Sequence, residues 1–115
     1  MREIKFRAKS LDNNIMVHFS LYEITNYFPS DGVFYVGNIP FKAGSEQEYT
    51  GLKDKNGVEI YEGDICKHHN PIEVNSVEYY VGEWHLEPHG LHLSDEYGEV
   101  EVIGNIYENP ELLEK

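Results

Sequence analysis

The sequence has 115 residues, of which 40% are apolar and 13% aromatic, and nine Lys and Arg against 21 Asp and Glu give a formal net charge of −12. The length fits one domain, residues 1–115, and the aromatic content argues against intrinsic disorder. No apolar run is long enough to cross a bilayer, and no apolar block of the kind found in a signal peptide follows the N-terminus. Cys66 is the only cysteine, which excludes an intrachain disulfide and favours a reducing, cytoplasmic compartment.

The charge is unevenly distributed along the chain. Residues 1–57 carry seven Lys and Arg and seven Asp and Glu, whereas residues 58–115 carry two Lys against fourteen carboxylates and five of the six histidines. Nucleic acid and anionic membranes attract basic surfaces, so neither is an expected partner.

The first half of the chain predicts a series of short strands. Apolar Ile4, Phe6 and Ala8 alternate with basic residues, which predicts a strand that buries these three side chains on one face. A turn at residues 12–14 predicts that this strand forms a hairpin with residues 15–19. Residues 20–28 fit either a helix or a strand, and the neighbouring strands favour a strand or an irregular segment. A turn at residues 29–32 precedes a predicted strand at residues 33–36, and residues 37–48 are predicted to form a loop.

The clearest local signal in the second half is Asn56-Gly57, which lies between β-prone residues 49–52 and 58–61 and predicts a tight hairpin. Further strands are predicted from Ile65, over residues 72–84 and over residues 99–107. Pro110 follows a capping residue, Asn109, and predicts a short C-terminal helix.

Three sequence blocks closely resemble the YopX family of phage and prophage proteins: residues 2–8 (REIKFRA), 49–65 (YTGLKDKNGVEIYEGDI) and 102–112 (VIGNIYENPEL). The resemblance implies a mainly β fold, built as a small SH3-like or partly open β-barrel with extra hairpins and a short C-terminal helix. It also implies homo-oligomers and a phage or prophage origin, but no reaction and no catalytic residue. Within the central block, Asp64 is predicted to accept backbone N–H groups in a turn. The family's small aliphatic residue at position 66 predicts that Cys66 is buried.

One region contains several possible metal ligands, namely His85, His89 and His92, with Cys66, His68, His69, Glu87 and Asp95 nearby in sequence. The spacing matches no zinc signature, and Pro88 and Gly90 favour a solvated loop. Cys66 with His68 or His69 is an alternative nucleophile and base, but burial of Cys66 opposes it. We therefore predict no catalytic, cofactor-binding or metal-binding residue and no cofactor. The sequence leaves open whether the region of His68, His69, His85, His89 and His92 binds a metal.

The leading functional hypothesis is a phage or prophage accessory protein of unknown biochemical role, which acts by protein–protein contact as a homo-oligomer in the host cytoplasm. Its expected partners are its own copies and possibly a host or phage protein. One alternative is an acidic decoy that imitates DNA phosphates and occupies a host DNA-binding protein. The other is a metal-dependent hydrolase that uses the histidine region, although no catalytic motif supports an enzyme.

Overall fold

The computed structural model describes residues 4–69 and 71–113 and is mainly β, as the sequence predicts, with 57% of residues in strands. The strands are β1 (Lys5–Lys9), β2 (Met16–Ser20), β3 (Ile24–Phe28), β4 (Val33–Val36), β5 (Ile39–Lys42), β6 (Gln47–Lys53), β7 (Glu59–Tyr61), β8 (Asp64–His69), β9 (Ile72–Tyr80), β10 (Glu83–Glu87), β11 (Leu91–His92) and β12 (Val100–Asn105). One short helix, α1 (Leu93–Glu96), and 3₁₀ turns at Leu21–Glu23, Pro29–Asp31, Tyr97–Glu99 and Pro110–Leu113 complete the described elements. None of these helices is long and apolar enough to span a membrane.

The chain divides into two compact units, Met1–Tyr49 and Thr50–Lys115. The strands form three antiparallel sheets, and within the described ranges none of the sheets closes into a barrel. The single domain expected over residues 1–115 stays a prediction. Arg2 and Glu3, which belong to the first block of the YopX resemblance, lie outside the described residues.

The first unit contains the predicted N-terminal hairpin. Strands β1 and β2 pair with Phe6 opposite Phe19, and an aromatic core forms where the rings of Phe19, Phe34 and Phe41 lie 5.1–5.8 Å apart. Ala8 is buried, as its alternation predicts. The expected burial of Ile4 is wrong, because this residue precedes the first strand and half of its surface is exposed.

The loop predicted over residues 37–48 is wrong, because β5 and the start of β6 lie within it. Gly37 has a φ of 62° and begins the turn that pairs Val36 with Ile39. Pro40 obscures the strand in the sequence, but β5 lies at an edge of the sheet β3-β4-β5, where a missing N–H is tolerated.

The sequence of residues 20–28 fits either a helix or a strand. The chain forms a 3₁₀ turn followed by β3, so the helix and the strand interpretation each hold for part of this segment.

The second unit contains the predicted Asn56-Gly57 hairpin, and a buried carboxylate holds its turn. Oδ1 of Asp54 accepts the backbone N–H groups of Asn56 and Val58 at 2.8 and 2.9 Å. Its Oδ2 accepts the N–H of Val102, in β12, at 2.9 Å. Asp54 is only 6% exposed, so its charge is stabilised mainly by these backbone dipoles.

Two further local predictions concern turns, at Asp64 and at the C-terminus. Asp64 is buried and its Oδ2 accepts the N–H of Tyr61 at 2.7 Å, which confirms its predicted structural role. The predicted C-terminal helix is a 3₁₀ turn, Pro110–Leu113. The side chain of Asn109 accepts the N–H of Asn105 at 3.2 Å.

Replacing Asp54 by Asn should destabilise the protein by about 2 kcal/mol, because the amide has one acceptor oxygen for three N–H donors, and hydrogen bonds to charged groups contribute about 1.5–3 kcal/mol each. Urea unfolding measures the change. Asp12→Asn is the matched control, since Asp12 is exposed in the first turn. Equal midpoints for the two variants would show that the Asp54 carboxylate does not hold the fold.

Candidate functional site

The five-stranded sheet of the second unit, with strand order β11-β10-β9-β8-β12, has one apolar and one polar face around β9 and β10. Val77 and Leu86 are paired in register and pack into the core with Cys66. Side chains alternate across a strand, so the neighbours of this pair project from the opposite face. That face carries two register pairs, Tyr80 with Glu83 and Glu78 with His85.

Glu83, His85 and His92 form a cluster on the polar face. His85 and His92 are register partners across β10 and β11, and their ring centroids lie 5.1 Å apart. Nδ1 of His92 lies 3.3 Å from Oε2 of Glu83. One side-chain N or O atom from each of the three residues lies within 4.8 Å of those from the other two.

His85 is the buried member of this cluster, with 6% of its surface exposed. Its ring stacks on Tyr80 at a centroid distance of 4.0 Å. Neither ring nitrogen has a hydrogen-bond partner among the described residues. A buried polar group without a partner is costly, so this histidine is an unusual feature of the structure.

Glu87 interacts with Tyr80 rather than with the histidines of the cluster. The negative charge of Glu87 raises the pKa of the Tyr80 hydroxyl; loss of hydration, a hydrogen bond to Glu87 and the charge of Glu78 act in the same direction. Glu83, by contrast, lies against His92.

Comparison with known proteins identifies the family. A family model described as YopX protein matches residues 5–114. The chain belongs to the YopX family. It is also similar to a solved structure, that of protein EF1440 from Enterococcus faecalis, with 29% sequence identity, a TM-score of 0.67, and coverage of 99% of this chain and 100% of that one. The comparison with curated proteins finds no match. The resemblance to YopX proteins is thus confirmed, and it covers nearly the whole chain.

Within this YopX fold, the expectation of a solvated histidine loop is wrong. His85 and His92 lie on strands β10 and β11, and His85 is buried. The residues Pro88 to Gly90, which suggest a flexible loop, form the short connection between these strands. Glu83 is not among the possible ligands predicted from the sequence. The available signal is its position two residues before His85, which places both side chains on one face of a strand.

The other histidines and Cys66 lie apart from this cluster. His89 Nδ1 is 2.6 Å from Asn75 Oδ1, and His69 Nε2 is 3.1 Å from Glu101 Oε1. His68 is buried, and its Nε2 has no hydrogen-bond partner in the described ranges. Cys66 is fully buried, as predicted, and Asp95 is exposed in α1.

The tip of the β9–β10 hairpin, residues Tyr79–Gly82, is a second unusual feature of this YopX protein. Val81 and Gly82 have φ angles of 53° and 76°, which give the two-residue turn its left-handed backbone. The Val81 side chain is 85% exposed, and Tyr79 and Tyr80 are each about half exposed. Tyr79 stacks on Trp84 at 4.8 Å. The tip therefore presents three successive apolar or aromatic side chains to solvent.

Cys66 should react slowly with thiol reagents. Burial raises the pKa of its thiol, and the charges of Asp64 and Asp54 act in the same direction. Little reactive thiolate is therefore present at pH 8. The rate of labelling by a maleimide should follow unfolding by urea. Ser94→Cys, at an exposed position in α1, should supply a second thiol that reacts at once. Rapid labelling of Cys66 in the folded protein would contradict its burial.

Proposed function

We propose that the protein is a phage or prophage accessory protein that acts in the host cytoplasm by protein–protein contact, and that its copies assemble through the tip. The proposed role includes no enzymatic activity. The observation that supports it is the conformation and exposure of Val81.

A valine at this position destabilises the isolated chain. The left-handed region costs an ordinary residue about 1–2 kcal/mol, and a β-branched side chain is especially unsuited to it. Asn or Gly would avoid this cost. Val81 recovers little through burial, because most of its surface faces solvent. Three successive exposed apolar residues are unfavourable in a soluble domain unless they serve a contact. Burial of Val81 against a partner explains the choice of residue.

The partner that best fits the tip is a second copy of this chain. Glu78 and Glu83 flank the tip. Two tips packed against each other would bring the carboxylates of both copies together, which is unfavourable. The first unit offers a better complement, because it contains a cleft of about 250 Å³ lined by Ile4, Lys5, His18, Phe19, Ser20 and Glu23. Ile4 and Phe19 give this cleft an apolar part that suits Val81. Its other lining residues are polar, and among them the charge of Lys5 would attract the carboxylates beside the tip while that of Glu23 would oppose them.

Such a contact is heterologous, since two different surfaces meet, and it generates rings or chains of copies rather than a two-fold dimer. One half of the proposed interface therefore lies in each unit of the chain. A substitution can alter the tip and leave the cleft intact, or alter the cleft and leave the tip intact.

Val81→Asn should abolish assembly and at the same time stabilise the fold by about 1 kcal/mol, because Asn tolerates the left-handed conformation. Sedimentation velocity measures assembly and urea unfolding measures stability. Val58→Asn is the control, since Val58 is also an exposed valine of the second unit. It should leave assembly unchanged. Unaltered assembly of the Val81→Asn variant would overturn the proposal.

A mixing experiment identifies the partner surface. Ile4→Asp should also prevent assembly, because it places a charge in the cleft near the carboxylates beside the tip. An equimolar mixture of Val81→Asn and Ile4→Asp should form a heterodimer, since one intact tip and one intact cleft remain between the two variants. If the mixture stays monomeric, or if Ile4→Asp assembles normally by itself, the cleft is not the partner of the tip.

A further inference from the structure

We propose that Glu83, His85 and His92 form a binding site for a divalent transition-metal ion, with zinc as the best-matched metal. Its ligands lie on β10 and β11, outside the tip, although one of them, Glu83, also flanks the tip.

The donor set supports zinc chemically. Two imidazoles and one carboxylate are a ligand set that zinc uses when it keeps a fourth position open for water or another ligand. Imidazole disfavours the hard ions Mg²⁺ and Ca²⁺, which prefer oxygen ligands. In the described ranges this cluster is the one group of three such residues whose ligand atoms converge.

The burial of His85 without a hydrogen-bond partner among the described residues is a second observation that indicates a ligand. The ring is more than nine-tenths buried and held against Tyr80, and neither nitrogen has a hydrogen-bond partner in the described residues. If this side chain served only to fill space, an apolar residue would do so at a lower free-energy cost. A metal bond to one nitrogen uses the electron pair that the surrounding protein leaves unsatisfied.

The geometry is close to what a metal ion requires. Ligand atoms about 2.0–2.1 Å from a tetrahedral zinc ion lie about 3.3 Å from one another. Glu83 Oε2 and His92 Nδ1 are already 3.3 Å apart, and all three ligand atoms lie within 4.8 Å. The side chains of Glu83 and His92 are each about half exposed and are free to adjust their rotamers. His85 is the fixed ligand, and the other two close around the ion.

Zinc titration by calorimetry tests the site on the full chain. The wild type should bind one zinc ion per chain, and both His92→Gln and Glu83→Gln should weaken binding at least about tenfold. The matched control is His69→Gln, because His69 also lies against a carboxylate, Glu101, but no third ligand converges with them among the residues that the structure describes. This variant should bind zinc like the wild type. Cobalt(II) in place of zinc should give the intense visible absorption of a tetrahedral site.

A substitution at the buried ligand separates metal binding from folding. His85→Phe keeps the aromatic ring on Tyr80 and removes the two unsatisfied nitrogens, so the metal-free variant should melt at a higher temperature than the metal-free wild type. The same variant should lose zinc binding. If it fails to fold, the two exposed variants still decide the question. Absence of zinc binding by the wild type, or undiminished binding by His92→Gln, would overturn the proposal. Because Val81→Asn leaves the three ligands in place, it should retain zinc binding whether or not it assembles.

Discussion

The second unit depends on one buried carboxylate. Asp54 accepts two N–H groups from the Asn56-Gly57 turn and a third from Val102, 48 residues further along the chain. A buried charge is tolerated only when hydrogen bonds replace its hydration, and here the backbone provides them. The bond to Val102 fixes β12 beside the turn, and β12 pairs with β8 at the end of the five-stranded sheet. The sheet that carries the histidines is thereby held to the hairpin β6–β7.

Side chains alternate between the two faces of β9 and β10, so the core residues and the candidate functional residues lie on opposite faces of the sheet. One face of these strands supplies Val77 and Leu86 to the core, whereas the other carries Glu83 and His85. A shift of one residue in register would exchange the two faces, so the apolar core determines where the polar cluster lies. Tyr80 joins the two proposed functions, because it belongs to the exposed tip and its ring also stacks on His85.

Local chemistry explains which parts of this structure the sequence predicts. Asn56-Gly57, the alternating residues 5–9 and the carboxylate of Asp64 act through neighbours a few residues away, and all three are predicted correctly as turn, strand and turn ligand. Strand β5 is missed because Pro40 resembles a strand breaker, and its edge position is known only from the sheet. The sequence indicates His85 and His92 as possible metal ligands, but it shows neither Glu83 nor the way the three converge. That convergence depends on pairing between β10 and β11, which the connecting residues Pro88 to Gly90 conceal.

We propose that the β9–β10 hairpin is the functional element and that its tip is covered when copies of the protein assemble. The decisive measurement is the accessibility of Val81 in solution, obtained by NMR with a soluble paramagnetic probe on isotope-labelled protein. In the single chain this side chain is 85% exposed. If the tip is covered, Val81 is shielded from the probe in the wild type and exposed Val58 is not. A Val81 signal attenuated as strongly as that of Val58 would show that the tip stays exposed and that copies do not assemble through it.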